Sequence, residues 1–147
     1  MGFDLYSLKR AQEAPESYEP PYYFRANVWS WRPILAATKY ATTIYDQVPE
    51  MTDAEYESMS YNDFYEVSDE RGLEFSLAIT HMLQSPEFSA ELNGEPVTGV
   101  MLDGENLFMH YGDWDDIESS GISYSAGLQH LVSFASFCTR SGGFNVG

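Results

Sequence analysis

The sequence predicts one α+β domain over residues 1–147, in which three or four helices pack on a small antiparallel three-stranded meander. Two observations predict this class. Helical periodicity dominates the first half and the C-terminal part, and short apolar runs separated by turn dipeptides lie between them. Hydrophobic residues make up 44% of the chain and aromatic residues 16%. That content is ample for one core in a chain of this length and argues against wholesale disorder.

The N-terminal half predicts an extended segment followed by helices. GFDLYSL is expected to be extended, and KRAQEAPESYEPP is expected to form a polar loop. Residues 22–32 have a helical period, and Pro33 should kink it or start a new helix over PILAATKYATTIYDQV. Residues 50–67 predict a loop with a short helical turn. Ser68 is then a candidate N-cap for a helix that reaches about Gln84.

The second half predicts strands and a final helix. FSAEL, PVTGVML and NLFMHY are short runs separated by Asn93-Gly94 and Asp103-Gly104, dipeptides that favour tight hairpin turns. The final helix should run from about Ser125 to Arg140, with Gly142-Gly143 as its stop. Its expected apolar stripe consists of Leu128, Leu131, Val132, Ala135 and Cys138.

The charge of the chain is strongly acidic and unevenly distributed. The formal net charge is −16, and no basic residue lies between Lys39 and Arg71. Such a surface repels phosphate, which disfavours direct binding to nucleic acid or to an anionic membrane. It attracts a basic protein surface, including one that normally holds DNA, although acidity can also serve solubility alone. The densest acidic segment supplies the expected partner contacts: Asp46, Glu50, Asp53, Glu55, Glu57, Asp63, Glu66, Asp69, Glu70 and Glu74.

The stretch YYFRANVWSWRP combines large aromatic rings with scarce arginines. On a helix, Phe24, Val28 and Trp31 would form a core row. The neighbouring row would hold a ligand such as a nucleotide by stacking and by phosphate contacts, and it consists of Arg25, Trp29 and Arg32. The glycines of Ser141-Gly142-Gly143 would allow close backbone approach to the same ligand. The alternative is that both tryptophans are core and that each arginine pairs with a carboxylate of its own chain.

Catalytic and metal-binding motifs are weak in this sequence. Cys138 and His130 would lie about 12 Å apart along one helix, too far for a catalytic dyad. Cys138 also lies on the apolar stripe, where a buried, inert thiol is the default. The group His110, Asp113, Asp115 and Asp116 does not have the spacing of a calcium loop. We therefore predict no catalytic residue, no metal and no cofactor, and the sequence favours a binding protein over an enzyme.

Location follows from cysteine content and hydropathy. The chain has one cysteine, which precludes an internal disulfide and suits a reducing cytoplasm. Its apolar runs are far shorter than the ~20 residues that span a bilayer, and its N-terminus does not have the order of a secretory signal. These features predict a cytoplasmic protein.

The segments GFDLY, YFRANVWSWRP and FASFCTRSGGFNV resemble an uncharacterised family of small proteins encoded by bacteriophages and prophages. The resemblance lies at both ends of the chain. Some of these relatives carry an inserted cysteine-rich, zinc-ribbon-like segment, whereas this chain has only Cys138. The resemblance implies a phage origin and host-cell cytoplasm as the location, and it implies no particular activity.

Three functional hypotheses follow. The leading one is a non-enzymatic acidic protein that binds a host or phage protein and inhibits a host defence or nucleic-acid-handling protein, with DNA mimicry as one form. The second is a nucleotide-binding or nucleotide-processing module that uses Arg25, Trp29 and Arg32. The third is a minor virion or assembly component. The partner's identity and the oligomeric state stay open at the level of sequence.

Overall fold

The computed structural model describes residues 2–61, 63–84, 101–103, 106–110 and 123–147. Side chains are described for these residues except 28, 29, 101–103, 106–110 and 123–128. Within this part of the chain, strands and helices follow one another in the order β1 (Gly2–Ser7), α1 (Arg10–Glu13), β2 (Tyr23–Asn27), α2 (Val28–Ile44), α3 (Asp53–Met59), β3 (Tyr65–Ser68), α4 (Asp69–Gln84), β4 (Met101–Asp103), β5 (Asn106–His110), β6 (Ser123–Gly127), α5 (Leu128–Arg140) and β7 (Gly143–Val146).

The ends of the chain meet in a four-stranded antiparallel sheet with the order β2-β1-β7-β3. The extended conformation expected for GFDLYSL is confirmed as β1. Side chains alternate across the sheet, as the pleat requires. One face is buried, and its residues are Phe3, Leu5, Phe24, Ala26, Val67, Phe144 and Val146. The other face is half-buried or exposed, and it carries Asp4, Tyr6, Tyr23, Arg25, Glu66 and Asn145.

A second antiparallel sheet has the order β4-β5-β6, and β5 and β6 lie along α2. Asp103 pairs with Asn106, as the predicted Asp103-Gly104 hairpin requires. The third strand is β6, formed by SYSAG, whereas the expected strand FSAEL lies outside the described residues. The final helix therefore begins at Leu128 and not at Ser125, because Ser125 pairs with Phe108 in the sheet. The α+β class is confirmed, with a four-stranded sheet in addition to the three-stranded one.

The expectation of a helix over residues 22–32 is wrong for its first part. Residues 23–27 form β2, and their burial alternates along the strand. Asn27 ends this strand and caps α2, because its Oδ1 accepts a hydrogen bond from the amide of Ser30 at 2.8 Å. Pro33 neither stops nor restarts a helix, since α2 continues through it to Ile44.

Of the remaining elements, some were expected from the sequence and others were not. The helix expected from Ser68 to Gln84 is confirmed as α4, and the Ser68 hydroxyl accepts the amide hydrogen of Arg71 at 3.1 Å. The acidic segment 50–67 contains the expected short helix, α3, and also β3, a strand that the sequence did not predict. The polar segment after β1 contains the short helix α1.

The core lies between the buried face of the four-stranded sheet and the helices α2, α4 and α5. Trp31, Phe75, Phe134 and Phe144 are among its fully buried side chains. Trp31 and Phe134 meet edge to face with ring centroids 5.4 Å apart, and Phe134 meets Phe144 at 6.1 Å. These contacts join α2, α5 and β7 in one aromatic core. None of the helices in the described ranges is long and apolar enough to cross a membrane.

The turn from α5 into β7 requires two glycines. Gly142 and Gly143 have φ angles of +74° and +98°, in the region that side chains disfavour. A Cβ on Gly143 would lie 2.9 Å from the backbone oxygen of Val67 and 2.9 Å from the amide nitrogen of Asp69. A Cβ on Gly142 would instead meet the flexible end of Lys9. The Gly142-Gly143 stop expected from the sequence is confirmed.

We expect Gly143→Ala to destabilise the fold more than Gly142→Ala. Positive φ costs both variants about 1–2 kcal/mol of the free energy of unfolding. Gly143→Ala also presses its methyl group on backbone that cannot move aside, whereas Lys9 can rotate away from position 142. Urea unfolding of the two variants measures the difference. Equal losses would contradict the close packing of β7 against the β3–α4 junction.

Candidate functional site

The most conspicuous surface of the described molecule is acidic. Eight of the ten predicted contact residues are exposed, and we call this set the acidic surface: Asp46, Glu50, Asp53, Glu57, Asp63, Glu66, Asp69 and Glu70. They lie on the loop after α2, on α3, around β3 and in the first turn of α4. Asp63, Glu66 and Asp69 lie in or beside β3, which is an edge strand of the four-stranded sheet.

Local helix chemistry explains part of this charge. Thr52 caps α3 by accepting the amide hydrogen of Glu55, and Ser68 caps α4. Asp53 lies in the first turn of α3, and Asp69 in the first turn of α4. Carboxylates at these positions are stabilised by the helix dipole. Both helices therefore present acidic N-terminal turns to solvent.

Arg71 binds the two half-buried carboxylates of the acidic segment, Glu55 and Glu74. Its Nε and Nη2 donate to the two carboxylate oxygens of Glu55 at 2.9 and 2.7 Å. Its Nη1 donates to Glu74 at 3.0 Å and to the carbonyl of Pro49 at 2.9 Å. The guanidinium also lies 4.6 Å from the ring centre of Phe75. Glu55 and Glu74 are therefore held in a partly buried ion-pair network, whereas the other eight predicted contacts have exposed side chains.

Burial and charge act in opposite directions on Arg71. Burial alone lowers the pKa of the guanidinium, but the hydrogen bonds and charges of Glu55 and Glu74 raise it above its ordinary value. Arg71 thus stays charged, and its positive charge is paired with the carboxylates of Glu55 and Glu74. Nearby, burial and the Glu55 charge raise the pKa of Tyr65, so this side chain stays neutral.

A cleft of about 410 Å³ opens beside this ion pair. Its lining combines the acidic side chains of Glu50, Glu55 and Glu74 with Tyr65 and with Arg71. A smaller depression of about 330 Å³ adjoins it and shares Glu50. The lining of the cleft has a net negative charge, which fits a cationic group better than an anionic one.

Lys39 borders the second depression. Its ammonium group pairs with Asp53 and lies 5.0 Å from the ring centre of Tyr56. The hydrogen bond and charge of Lys39 lower the pKa of Asp53, whose side chain is 96% exposed. Because Asp53 remains open to water, this pair leaves its carboxylate accessible to a partner.

The predicted ligand row Arg25, Trp29 and Arg32 does not form one helical face. Arg25 lies on β2, with its Nε 3.9 Å from Asp4 Oδ1, and its side chain is 67% exposed. Arg32 lies half-buried on α2, and the side chain of Trp29 is outside the described part of the structure. The expected core role of Phe24 and Trp31 is confirmed, since both are buried.

Ser141 is fully buried at the end of α5, and its carbonyl accepts the hydroxyl hydrogen of Ser7 at 2.6 Å. Gly143 approaches backbone of its own chain, since its carbonyl accepts the amide hydrogen of Leu8 at 2.9 Å. The close approach that glycine allows is used at this turn for packing between β1, β3 and β7.

Cys138 is fully buried, and burial raises the pKa of its thiol well above the ordinary value. This agrees with the expected inert thiol. No group of three or more potential metal ligands occurs among the described residues. His110 lies in β5, and the loop carboxylates that follow it in sequence lie outside the described residues.

Comparison with protein-family models, with curated proteins and with solved structures finds no match to this chain.

Proposed function

We propose that the chain is a non-enzymatic binding protein that engages a partner protein with a basic surface. The observation that carries the proposal is the exposure of eight carboxylates on consecutive elements between residues 46 and 70. In contrast, the two basic side chains beside them, Lys39 and Arg71, are both paired with carboxylates. A surface of one sign accelerates association with a surface of the opposite sign and rejects partners of like charge.

The chemistry of the partner follows from this surface. A nucleic-acid-binding cleft is a basic surface built to hold closely spaced negative charges, and exposed carboxylates compete for it. Because the chain resembles phage-encoded proteins, the proposed partner is a host defence or nucleic-acid-handling protein, which the chain inhibits. The cleft beside Glu55 and Arg71 accepts a protruding lysine or arginine of that partner, since the exposed carboxylate of Glu50 lies in its wall.

Salt dependence tests the electrostatic basis of the proposal. The immobilised protein is exposed to a bacterial lysate, and the basic protein it retains is purified and titrated against it at increasing KCl. We expect the affinity to fall steeply with salt, because exposed charges are screened within about 10 Å at 0.1 M ionic strength. An affinity that is unchanged between low and high salt would contradict the proposal.

A further inference from the structure

The exposed face of the four-stranded sheet carries a cluster of aromatic rings around an arginine. Tyr6 and Tyr23 lie opposite one another on β1 and β2, with ring centroids 5.5 Å apart. Tyr18 meets Tyr23 edge to face at 5.1 Å. The Arg10 guanidinium carbon lies 5.0 Å from the ring centre of Tyr6 and 4.9 Å from that of Tyr18. We call Tyr6, Arg10, Tyr18 and Tyr23 the tyrosine–arginine cluster.

Arg10 is held in place without a carboxylate. Its Nε donates to the carbonyl of Ser17 at 2.7 Å, and two rings contact its guanidinium. Among the residues that the structure describes, no carboxylate lies within ion-pair distance of Arg10, whereas Arg25, Lys39 and Arg71 each have one. The two Nη groups of a preorganised guanidinium are therefore donors for an external anion.

The tyrosines supply a neutral stacking surface beside that cation. Tyr18 is 64% exposed, so much of its ring is open to a planar ligand. Burial, together with a hydrogen bond that its hydroxyl donates to Asp4, raises the pKa of Tyr23 to about 12. Asp4 is engaged by this hydroxyl and lies 3.9 Å from Arg25 Nε, so its charge is partly compensated. An anion beside Tyr23 thus meets an uncharged phenol.

We propose that the tyrosine–arginine cluster binds a small planar aromatic anion of the nucleoside monophosphate class. The ring of the ligand stacks on Tyr18, and its anionic group accepts hydrogen bonds from the Nη groups of Arg10. Glu13, Glu16 and Glu19 are exposed in the same segment and disfavour a polyanionic strand, which restricts the ligand to a small molecule.

This site is separate from the acidic surface. The cluster lies at the β1–β2 side of the sheet, and β3 is the opposite edge strand. Edge strands of a four-stranded sheet are about 14 Å apart, three strand spacings of roughly 4.8 Å. The proposed nucleotide binding at one edge and the proposed protein binding at the other can therefore be tested independently of each other.

The inference is tested by titrating the protein with adenosine monophosphate or with uridine monophosphate and recording the NMR signals of the tyrosine rings. We expect saturable shifts in Tyr6, Tyr18 and Tyr23 with a dissociation constant of about 1 mM or below, and binding of adenosine or of phosphate alone at least about tenfold weaker. Arg10→Gln should weaken nucleotide binding about tenfold or more, since it removes charge-assisted hydrogen bonds. The control Arg140→Gln removes an arginine from the C-terminal end of α5 and should leave binding unchanged.

Three results would overturn the inference: no ring shifts in the folded wild-type chain, equal binding by Arg10→Gln, or tighter binding of oligouridylate than of the monophosphate. If Arg10→Gln does not fold, the wild-type ring shifts decide, because an arginine that serves only to anchor the α1 segment gives no nucleotide-dependent change at these rings.

Discussion

Replacing Trp31 by alanine is expected to lower the free energy of unfolding by about 3–5 kcal/mol, the range for deleting a large buried aromatic side chain. Trp31 is fully buried, and its ring lies 5.8 Å from that of Phe3 and 5.4 Å from that of Phe134. Its indole nitrogen donates to the carbonyl of Met59 at 2.8 Å. The side chain therefore joins α2 to the sheet, to α5 and to the end of α3. Urea unfolding followed by circular dichroism measures the loss.

The conservative variant Trp31→Phe separates packing from hydrogen bonding. It keeps most of the aromatic volume and leaves the Met59 carbonyl without its donor, which costs about 1–3 kcal/mol. We expect Trp31→Phe to fold and to lie between the wild type and Trp31→Ala in stability. A loss below about 1 kcal/mol for Trp31→Ala would contradict the central position assigned to this ring.

The second large effect concerns Arg71. Replacing it by methionine should lower the free energy of unfolding by about 3 kcal/mol, because a partly buried ion pair that loses one partner leaves uncompensated charge. Glu55 and Glu74 would then face one another, with side chains only 15% and 23% exposed. The Pro49 carbonyl would also lose its donor. Chemical denaturation at neutral pH measures the change.

A control and a second substitution make the Arg71 result specific. Lys39→Met breaks a pair whose carboxylate is 96% exposed, and such surface pairs contribute about 0–1 kcal/mol. Adding Glu55→Gln to Arg71→Met should recover part of the lost stability, since it removes one of the two facing charges. Equal losses for Arg71→Met and Lys39→Met would show that the Arg71 network does not stabilise the fold.

Helix α4 was predictable because its signals agree with one another. Ser68 is a good N-cap, acidic residues follow in the first turn, and an apolar periodicity runs to Gln84. Residues 22–27 were not predictable in this way, because large aromatic side chains suit either a helix face or a strand. The deciding signals were the alternation around Phe24 and Arg25 and the cap at Asn27. These signals are local, but the helical periodicity of α2 begins directly after them, so the whole stretch looks helical in sequence.

The four-stranded sheet was less predictable, since it combines strands from both ends of the chain with β3 from the middle. β3 and β7 have four residues each, and they form because β7 pairs with both β1 and β3, contacts far apart in sequence. The tyrosine–arginine cluster also depends on pairing between strands that are separated in sequence. The alternation in GFDLYS places Asp4 and Tyr6 on one face, but only the β1–β2 register places Tyr23 beside Tyr6.

The acidic surface was predictable in composition and only partly in detail. Charge counting identifies the segment, but it does not distinguish carboxylates that face solvent from those that neutralise a buried cation. Glu55 and Glu74 belong to the second kind because Arg71, sixteen residues and three residues away respectively, folds between them. Tertiary structure therefore divides a set that looks uniform in sequence.

We propose that the position of the acidic residues, and not the total charge, creates the binding surface. The most direct test titrates the captured basic partner against two variants that each neutralise three exposed carboxylates. One variant alters the acidic surface, with Glu57→Gln, Asp63→Asn and Glu66→Gln. The matched control alters the α1–β2 segment, with Glu13→Gln, Glu16→Gln and Glu19→Gln.

Both variants reduce the magnitude of the net charge equally, and all six side chains are exposed, so both should fold. The partner's dissociation constant at low salt is the measurement. We predict that it rises by about tenfold or more for the acidic-surface variant, as expected when several contacts of a charged interface are lost, and stays close to the wild-type value for the control. Equal weakening by both variants, or none by either, would contradict the claim.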